Sequence, residues 1–363
     1  MSLRSDIPFP KKIIFSLIIV IAIFSATEGI LRWLGLPRDA SIRRRREEMW
    51  KRKGVESDVT LPWSWSPIPN GLCVFDAKGF FRFNSLGFRG PTVPKVKAPG
   101  TLRIVCMGDS CTMGWQVGDD QTFCAKLPAL LASKIPQRVE TINAGVLGYA
   151  SSQGLHQLRT KILPLHPDLI IASYNWNDHS QAIDIQGSRP DRELPQHAAV
   201  FHQWAFSLSK LRIVQCMAAL ILRFHENSVE KSDDFENPSQ TTALPTLLRV
   251  PREDYIANWM EFIKITKQNH ITLVLMTQPY KLPNRKEPSI LFLIQKQREY
   301  NRDLIRIALK TGTPLVDPTP DFHAHRNRGQ LFSSIVHPTE LGHQLIAQKL
   351  ADFIADLQNG KSR

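Results

Sequence analysis

Five cysteines in 363 residues (Cys73, Cys106, Cys111, Cys124 and Cys216) are odd in number and form no disulfide framework, so they leave the compartment undecided. Zinc-finger spacing, an RNA-binding sheet signature and interleaved aromatic and basic residues are all missing. That argues against nucleic acid as a partner. His323, His325, His337 and His343 lie close together in the chain. Yet the carboxylate partners and ligand spacing of a metal site are absent, so metal-dependent hydrolysis has little support. Nothing in the motifs calls for a cofactor. A disorder-prone composition is excluded as well, because 42% of the residues are hydrophobic.

Charge is absent from residues 13–26, IIFSLIIVIAIFSA, which follow Lys11 and Lys12. The apolar character resumes after Glu28. A helix over 12–34 would span about 33 Å at 1.5 Å per residue, enough to cross a bilayer. No small-residue cleavage site stands out, so we read an uncleaved anchor; a cleaved signal or a buried amphipathic helix are the alternatives. Glu28 and Arg32 are spaced to pair. The net charge of +13 is uneven, with Arg43, Arg44, Arg45, Arg46, Lys51, Arg52 and Lys53 in one short stretch. A basic run beside an apolar span suits lipid headgroups. Lys11 and Lys12 favour an inside N-terminus, whereas Arg43–Arg46 favour the reverse. We expect the rest of the chain outside the cytoplasm, in the periplasm or at the cell surface.

Three regions follow: an anchor over 1–36, a basic linker and β-rich extension over 37–100, and an α/β domain over 101–363. The extension is rich in Pro, Gly and aromatics (Trp63, Trp65, Phe75, Phe80, Phe81, Phe83), which predicts short strands and turns. In the α/β domain, five apolar runs predict strands: Arg103–Met107, Val139–Asn143, Leu169–Tyr174, Ile271–Met276 and Pro314–Asp317. Helical stripes lie between them. Leu155, Leu158 and Ile162 form one. Tyr255, Trp259, Phe262, Ile263 and Thr266 form another. Leu304, Ile305 and Leu309 precede a stop at Gly312. Leu341, Leu345, Leu350, Phe353, Ile354 and Leu357 mark the last helix. Such alternation predicts a parallel sheet covered on both faces. Residues 180–250 interrupt it. Within them Phe201, Trp204, Leu208 and Leu211 share a helical face, to be read as a packed helix or as a lid or acyl-binding wall. Residues 226–244 read as a polar loop.

Ligands in such sheets bind at the carboxyl ends of the strands. Gly108-Asp109-Ser110 follows the first strand, and Asn143 to Gly148 follows the second. Asn175-Trp176-Asn177-Asp178 follows the third, and His337-Pro338 precedes the last helix. A serine, a glycine turn, an asparagine and a histidine on one edge supply a nucleophile, a base and oxyanion donors, which is what acyl transfer needs. Taken singly, each has a plainer reading as a cap, a turn or a surface histidine.

Four blocks, IVCMGDSCTMGW, INAGVLGYASSQG, NWND and VHPTELGH, resemble the SGNH (GDSL-type) hydrolase superfamily over roughly residues 100–357. Cys111 stands where that family has leucine or phenylalanine. NSLGFRG (Asn84–Gly90) resembles membrane-anchored bacterial members. The resemblance implies a three-layer α/β sandwich around a parallel sheet of about five strands, flavodoxin-like, carrying an N-terminal transmembrane helix and a short β-rich extension. It also implies that Ser110 attacks an acyl carbonyl and His337 serves as base. The N–H groups of Ser110 and Gly148 and the Asn177 amide would hold the oxyanion. Asp109 would brace the turn, and Asp178 would be structural.

One position departs from the family, which has Asp three residues before the histidine; this chain has Ser334. Three readings stay open: a Ser–His dyad helped by Ser334 or a backbone carbonyl, a substitute carboxylate (Asp317, Asp321 or Glu340), or lost catalysis. The expected function is hydrolysis or transfer of an ester-linked acyl group, O-acetyl among the candidates. The partner would be a small molecule, glycan or lipid, and the membrane would be met through residues 12–34. The alternative is a catalytically impaired protein of this fold that binds a glycan or lipid or serves assembly.

Overall fold

The structure is a computed structural model that describes residues 9–34, 53–57, 64–75, 79–181, 190–193, 211–214, 216–217, 247–282 and 287–360. The chain divides into two compact units, Met1–Met49 with His197–Asp233, and Trp50–Gln196 with Asp234–Arg363.

The first unit contains helix α1, Phe9–Trp33. It begins three residues earlier than the expected 12–34. Its stretch Ile14–Trp33 has a mean hydropathy of 2.3, and Ile18, Val20 and Ile23 are exposed. Twenty-five residues make a rod of about 37 Å. Near its end Glu28 accepts from Arg32 Nε at 2.7 Å, the expected pair, and from the backbone N–H groups of Arg212 and Ile213 at 2.9 and 3.1 Å. Arg43–Arg46, Phe201, Trp204, Leu208 and residues 226–244 lie outside the described residues.

The second unit begins with two antiparallel hairpins, β1 (Val55–Ser57) with β2 (Trp65–Pro67) and β3 (Leu72–Phe75) with β4 (Gly79–Arg82). Five parallel strands follow: β5 (Thr101–Gly108), β6 (Arg138–Gly145), β7 (Leu169–Ser173), β8 (Thr272–Met276) and β9 (Leu315–Val316). Their order across the sheet is β6-β5-β7-β8-β9. The last strand is shorter than the expected Pro314–Asp317, since the rigid φ and missing N–H of Pro314 and Pro318 frame it.

The α-helices among this unit's described residues are α2 (Ser110–Met113), α3 (Phe123–Leu131), α4 (Ser151–Gln157), α5 (Arg252–Gln268), α6 (Pro288–Thr311), α7 (Thr319–Ala324) and α8 (Glu340–Gln358). Successive strand side chains point to opposite faces, and the core divides accordingly. Val105, Met107, Ile170, Ala172, Leu273 and Leu275 pack with Trp259 and Phe262 of α5 and Tyr300 and Leu304 of α6. Ile104, Cys106, Leu169, Ile171, Val274 and Met276 pack with Leu127 of α3 and Leu350 and Ile354 of α8. Each fully buried aliphatic side chain contributes roughly 1.5–3 kcal/mol. These layers explain why the strands are apolar on both faces.

Some helical stripes need correction. Leu309 and Leu341 are 80% and 42% exposed; each lies on the outward face of its helix, next to buried Ala308 in α6 and to buried Gly342 and His343 in α8. Leu155, Leu158 and Ile162 are buried, although α4 passes into a π turn at Leu158–Ile162.

Candidate active site

The carboxyl edge of the sheet collects the chemistry. β5 ends at Gly108, and Asp109 is the N-cap of α2, its Oδ1 accepting from the N–H of Cys111 at 2.8 Å. This cap makes Ser110 the first residue of α2, pointing off the strand end. Gly145, at the end of β6, allows α2 to seat there: a Cβ on it would meet the Met113 nitrogen at 2.2 Å.

Ser110 Oγ lies 2.8 Å from His337 Nε2, across 227 residues of chain. His337 Nδ1 lies 2.8 Å from Ser334 Oγ. The same hydroxyl accepts from the backbone N–H of His337 at 3.2 Å. A serine oxygen has two lone pairs. The N–H of Val336, at 3.4 Å, also points at this oxygen; with the ring proton on Nδ1, Nε2 faces Ser110 as an acceptor. The ring is flanked by Trp115, with centroids 6.4 Å apart. Burial pushes the imidazole down to about 4.

The other orienting candidates are occupied elsewhere. Asp317 accepts from the Thr277 hydroxyl and from the Thr319 N–H at 3.0 Å. Asp321 pairs with Lys349. Glu340 accepts from Gln121 Nε2 at 2.8 Å. The four histidines also point to different partners: His323 Nε2 donates to the Tyr280 carbonyl at 3.1 Å, and His343 Nδ1 accepts from Phe123 N–H at 3.2 Å. Among the described residues no group of three or more His, Cys, Asp or Glu gathers as a metal site would require.

Gly148 and Asn177 stand beside the serine turn. Gly148 has φ +74°. Asn177 Nδ2 donates to the Tyr149 carbonyl at 3.1 Å and to Asp109 Oδ2 at 3.2 Å. Asp109 thus links cap, asparagine and Gln278, whose Nε2 reaches it at 2.9 Å. Burial raises the Asp109 carboxyl to about 6, with the bonds from Gln278 and Cys111 pulling the other way.

Several residues here escaped the sequence reading. Gln278 had a signal, because it lies two residues past the carboxyl end of β8, where ligands bind in such sheets. Arg89 gave none. Its buried guanidinium donates to the carbonyls of Met113, Gly114 and Val117 and to Asp119, fixing the chain that leaves α2. An apolar wall of Cys111, Tyr280, Ile294 and Val336, with Trp176 and Ile335 packed on it, stands beside Ser110.

Asp178 is fully buried. Its Oδ1 accepts from the Ser151 N–H at 3.0 Å and from the Ser151 hydroxyl, while Oδ2 has no partner. Burial raises this carboxyl to about 7, and the Ser151 bonds only partly oppose it. A carboxyl whose folded pKa exceeds its unfolded value contributes stability below the unfolded value, and loses it as pH rises through the folded one. Between pH 5 and pH 8, Asp178→Asn is therefore expected to lose less melting temperature than wild type. The difference should be about 3 °C or more, read by thermal denaturation at the two pH values. Parallel curves would show that Asp178 does not titrate in this window.

A family model, GDSL-like Lipase/Acylhydrolase, matches residues 106–345. Among solved structures, the lipase/acylhydrolase from Enterococcus faecalis is similar at 15% identity and a TM-score of 0.44, covering 70% of this chain and 96% of that one. An acetylxylan esterase from Geobacillus stearothermophilus is similar at 16% identity and a TM-score of 0.43, covering 69% and 93%. A GDSL-like lipase from Bacteroides thetaiotaomicron is similar at 16% identity and a TM-score of 0.41, covering 70% and 89%. No curated protein matches.

Proposed function

The chain belongs to the GDSL-like lipase/acylhydrolase family, and from that premise we propose that it is a membrane-anchored serine esterase or acyltransferase acting through a Ser110 acyl-enzyme. The observation that carries this reading is the contact of Ser110 Oγ with His337 Nε2 at 2.8 Å, on the edge where parallel sheets bind ligands.

In the proposed reaction, Ser110 Oγ bonds to the ester carbonyl carbon as its proton passes to His337 Nε2. The carbonyl oxygen becomes an oxyanion. It accepts from the N–H of Ser110, which lies in the first turn of α2 where N–H groups lack intrahelical partners. It also accepts from the N–H of Gly148 and from Asn177 Nδ2, whose 3.2 Å bond to Asp109 yields to the stronger acceptor. When the C–O bond to the alcohol breaks, the alcohol leaves with the proton from Nε2. Water, or an acceptor alcohol in a transferase, then gives its proton to Nε2 and attacks the acyl-enzyme carbon; the bond to Ser110 Oγ breaks and Nε2 returns the proton to that oxygen. Ser334 holds Nδ1 in place of the usual carboxylate. The wall around Cys111 and Trp176 supports an apolar surface for the acyl chain or the alcohol. An O-acyl group on a glycan or lipid is the substrate class we favour, with α1 holding the enzyme at the membrane and its catalytic unit outside the cytoplasm.

Isolated membranes carrying the full chain, washed in high salt and treated with a fluorophosphonate probe, test both parts. We expect the adduct on Ser110, mapped by mass spectrometry, in the washed pellet. A labelled but soluble protein would remove the anchor and keep the serine mechanism. A folded protein without label would remove the nucleophile and favour the binding reading.

A further inference from the structure

The turn that carries Gly148 is held from outside the stretch that the family model matches. We infer that Trp65, in β2 of the N-terminal extension, is a positioning residue that sets the peptide plane presenting the Gly148 N–H to the oxyanion. The inference rests on the proposed esterase reading and deepens it, because it makes the extension part of the catalytic apparatus.

The argument begins with the turn. Tyr149 N–H donates to the Val146 carbonyl at 3.2 Å, which closes a four-residue turn with Leu147 and Gly148 at its centre. Gly148 has φ +74°, the value for the third position of a type II turn. Types I and II differ by a flip of the central peptide, here Leu147–Gly148. Glycine accepts either sign of φ, so its own backbone does not choose between them. A flip would turn the Gly148 N–H away from the serine.

Trp65 makes that choice. Its Nε1–H donates to the Leu147 carbonyl at 2.8 Å. The peptide is planar and trans, so the Gly148 N–H must point opposite to that carbonyl. A bond on one end of the unit therefore orients the other. The indole ring also lies against Gly148, where a Cβ would meet Trp65 Cζ2 at 2.9 Å. The Tyr149 hydroxyl returns a bond to the Trp65 carbonyl at 2.5 Å.

The neighbouring carbonyls are secured in turn. Gly148 O accepts from Arg249 Nη1 at 2.8 Å. Tyr149 O accepts from Asn177 Nδ2 at 3.1 Å, which joins this turn to the second proposed oxyanion donor. β2 is itself pinned on both sides of Trp65: Gln153 Nε2 donates to Ser64 Oγ at 2.7 Å, and Lys161 Nζ donates to Ser66 Oγ at 3.0 Å. Three consecutive residues of the extension thus grip the segment from Leu147 to Lys161.

Trp65→Phe keeps a ring on Gly148 and removes only the N–H. Deleting one oxyanion donor costs about 10²–10³ in kcat. Loosening one is expected to lower kcat on p-nitrophenyl acetate about 10- to 100-fold in the full chain. KM should stay within about twofold and the pH profile should keep its shape, because His337 is untouched. Affinity for phenylboronic acid, which forms a tetrahedral serine adduct, should fall in step with kcat, as expected for an interaction made only with the transition state. Tyr149→Phe, which loosens the same strap less directly, should show a smaller fall of the same kind. A Trp65→Phe enzyme as fast as wild type would overturn the inference. So would KM and boronate affinity weakening in equal proportion, the mark of general loosening. Wild-type turnover that survives Ser110→Ala would sink the parent reading and this inference with it.

Discussion

Replacing Ser334 with aspartate is expected to raise kcat/KM by about 10- to 100-fold and to move its acid limb to higher pH. The physical reason is the state of His337. Burial holds its imidazole at about 4, and the group on Nδ1 is a neutral hydroxyl at 2.8 Å. A base of such low pKa takes a proton from serine with little driving force, and catalysis improves as the pKa approaches the working pH. A carboxylate at about 4 Å from the imidazolium is worth at most about 4 kcal/mol at an effective dielectric of 20. Ser334 is exposed, so solvent screening removes much of that. In a serine protease, neutralising the corresponding acid costs about 10⁴, largely through the wrong tautomer. Here Ser334 Oγ already sits on Nδ1 at 2.8 Å and holds the ring in place, so the gain should be smaller than that. The sign is clear. The base works when neutral, so wild-type kcat/KM should be flat from about pH 5.5 upward, and an added anion raises the pKa and pushes the limb upward. A pH–rate series on both proteins measures this. An unchanged acid limb in Ser334→Asp would mean that residue 334 does not govern the histidine.

His337→Ala is expected to lower kcat by about 10⁴ to 10⁶, the range seen when serine and histidine act as one unit. Stability should change little, because the ring is half-buried and its side-chain hydrogen bonds run to Ser110 and Ser334. The loss should therefore appear at an unshifted melting temperature, and fluorophosphonate labelling of Ser110 should slow in parallel. Hydrolysis that persists within tenfold of wild type would exclude His337 as the base. Labelling at the wild-type rate would likewise separate serine reactivity from this histidine.

Much of the fold was legible because each strand and helix is written in contiguous residues. β5 and β7 read as apolar runs since both their faces are covered, and α5 showed its stripe because Tyr255, Trp259 and Phe262 recur at helical spacing. The errors fell where local pattern and packing part company. Leu341 has the spacing of a core position, yet in the first turn of α8 it is Gly342 and His343 that face inward, which leaves Leu341 on the outer side.

The sequence by itself determined the strand order along the chain and placed Ser110, Gly148 and Asn177 just past strand ends and His337 just before the last helix. A short-range pattern specifies where an element stops, and in parallel sheets those stops converge on one edge. Only the tertiary structure decided what surrounds them. Asp317 and Asp321 stood in the sequence as alternatives to Ser334 for His337, and only packing gives them to Thr277, Thr319 and Lys349 instead. The Trp65 bond to Leu147 spans 82 residues, and the Arg89 bonds to α2 and the chain beyond it span 24 to 28. Contacts of that kind depend on how separately formed elements pack, and neither segment alone records the other.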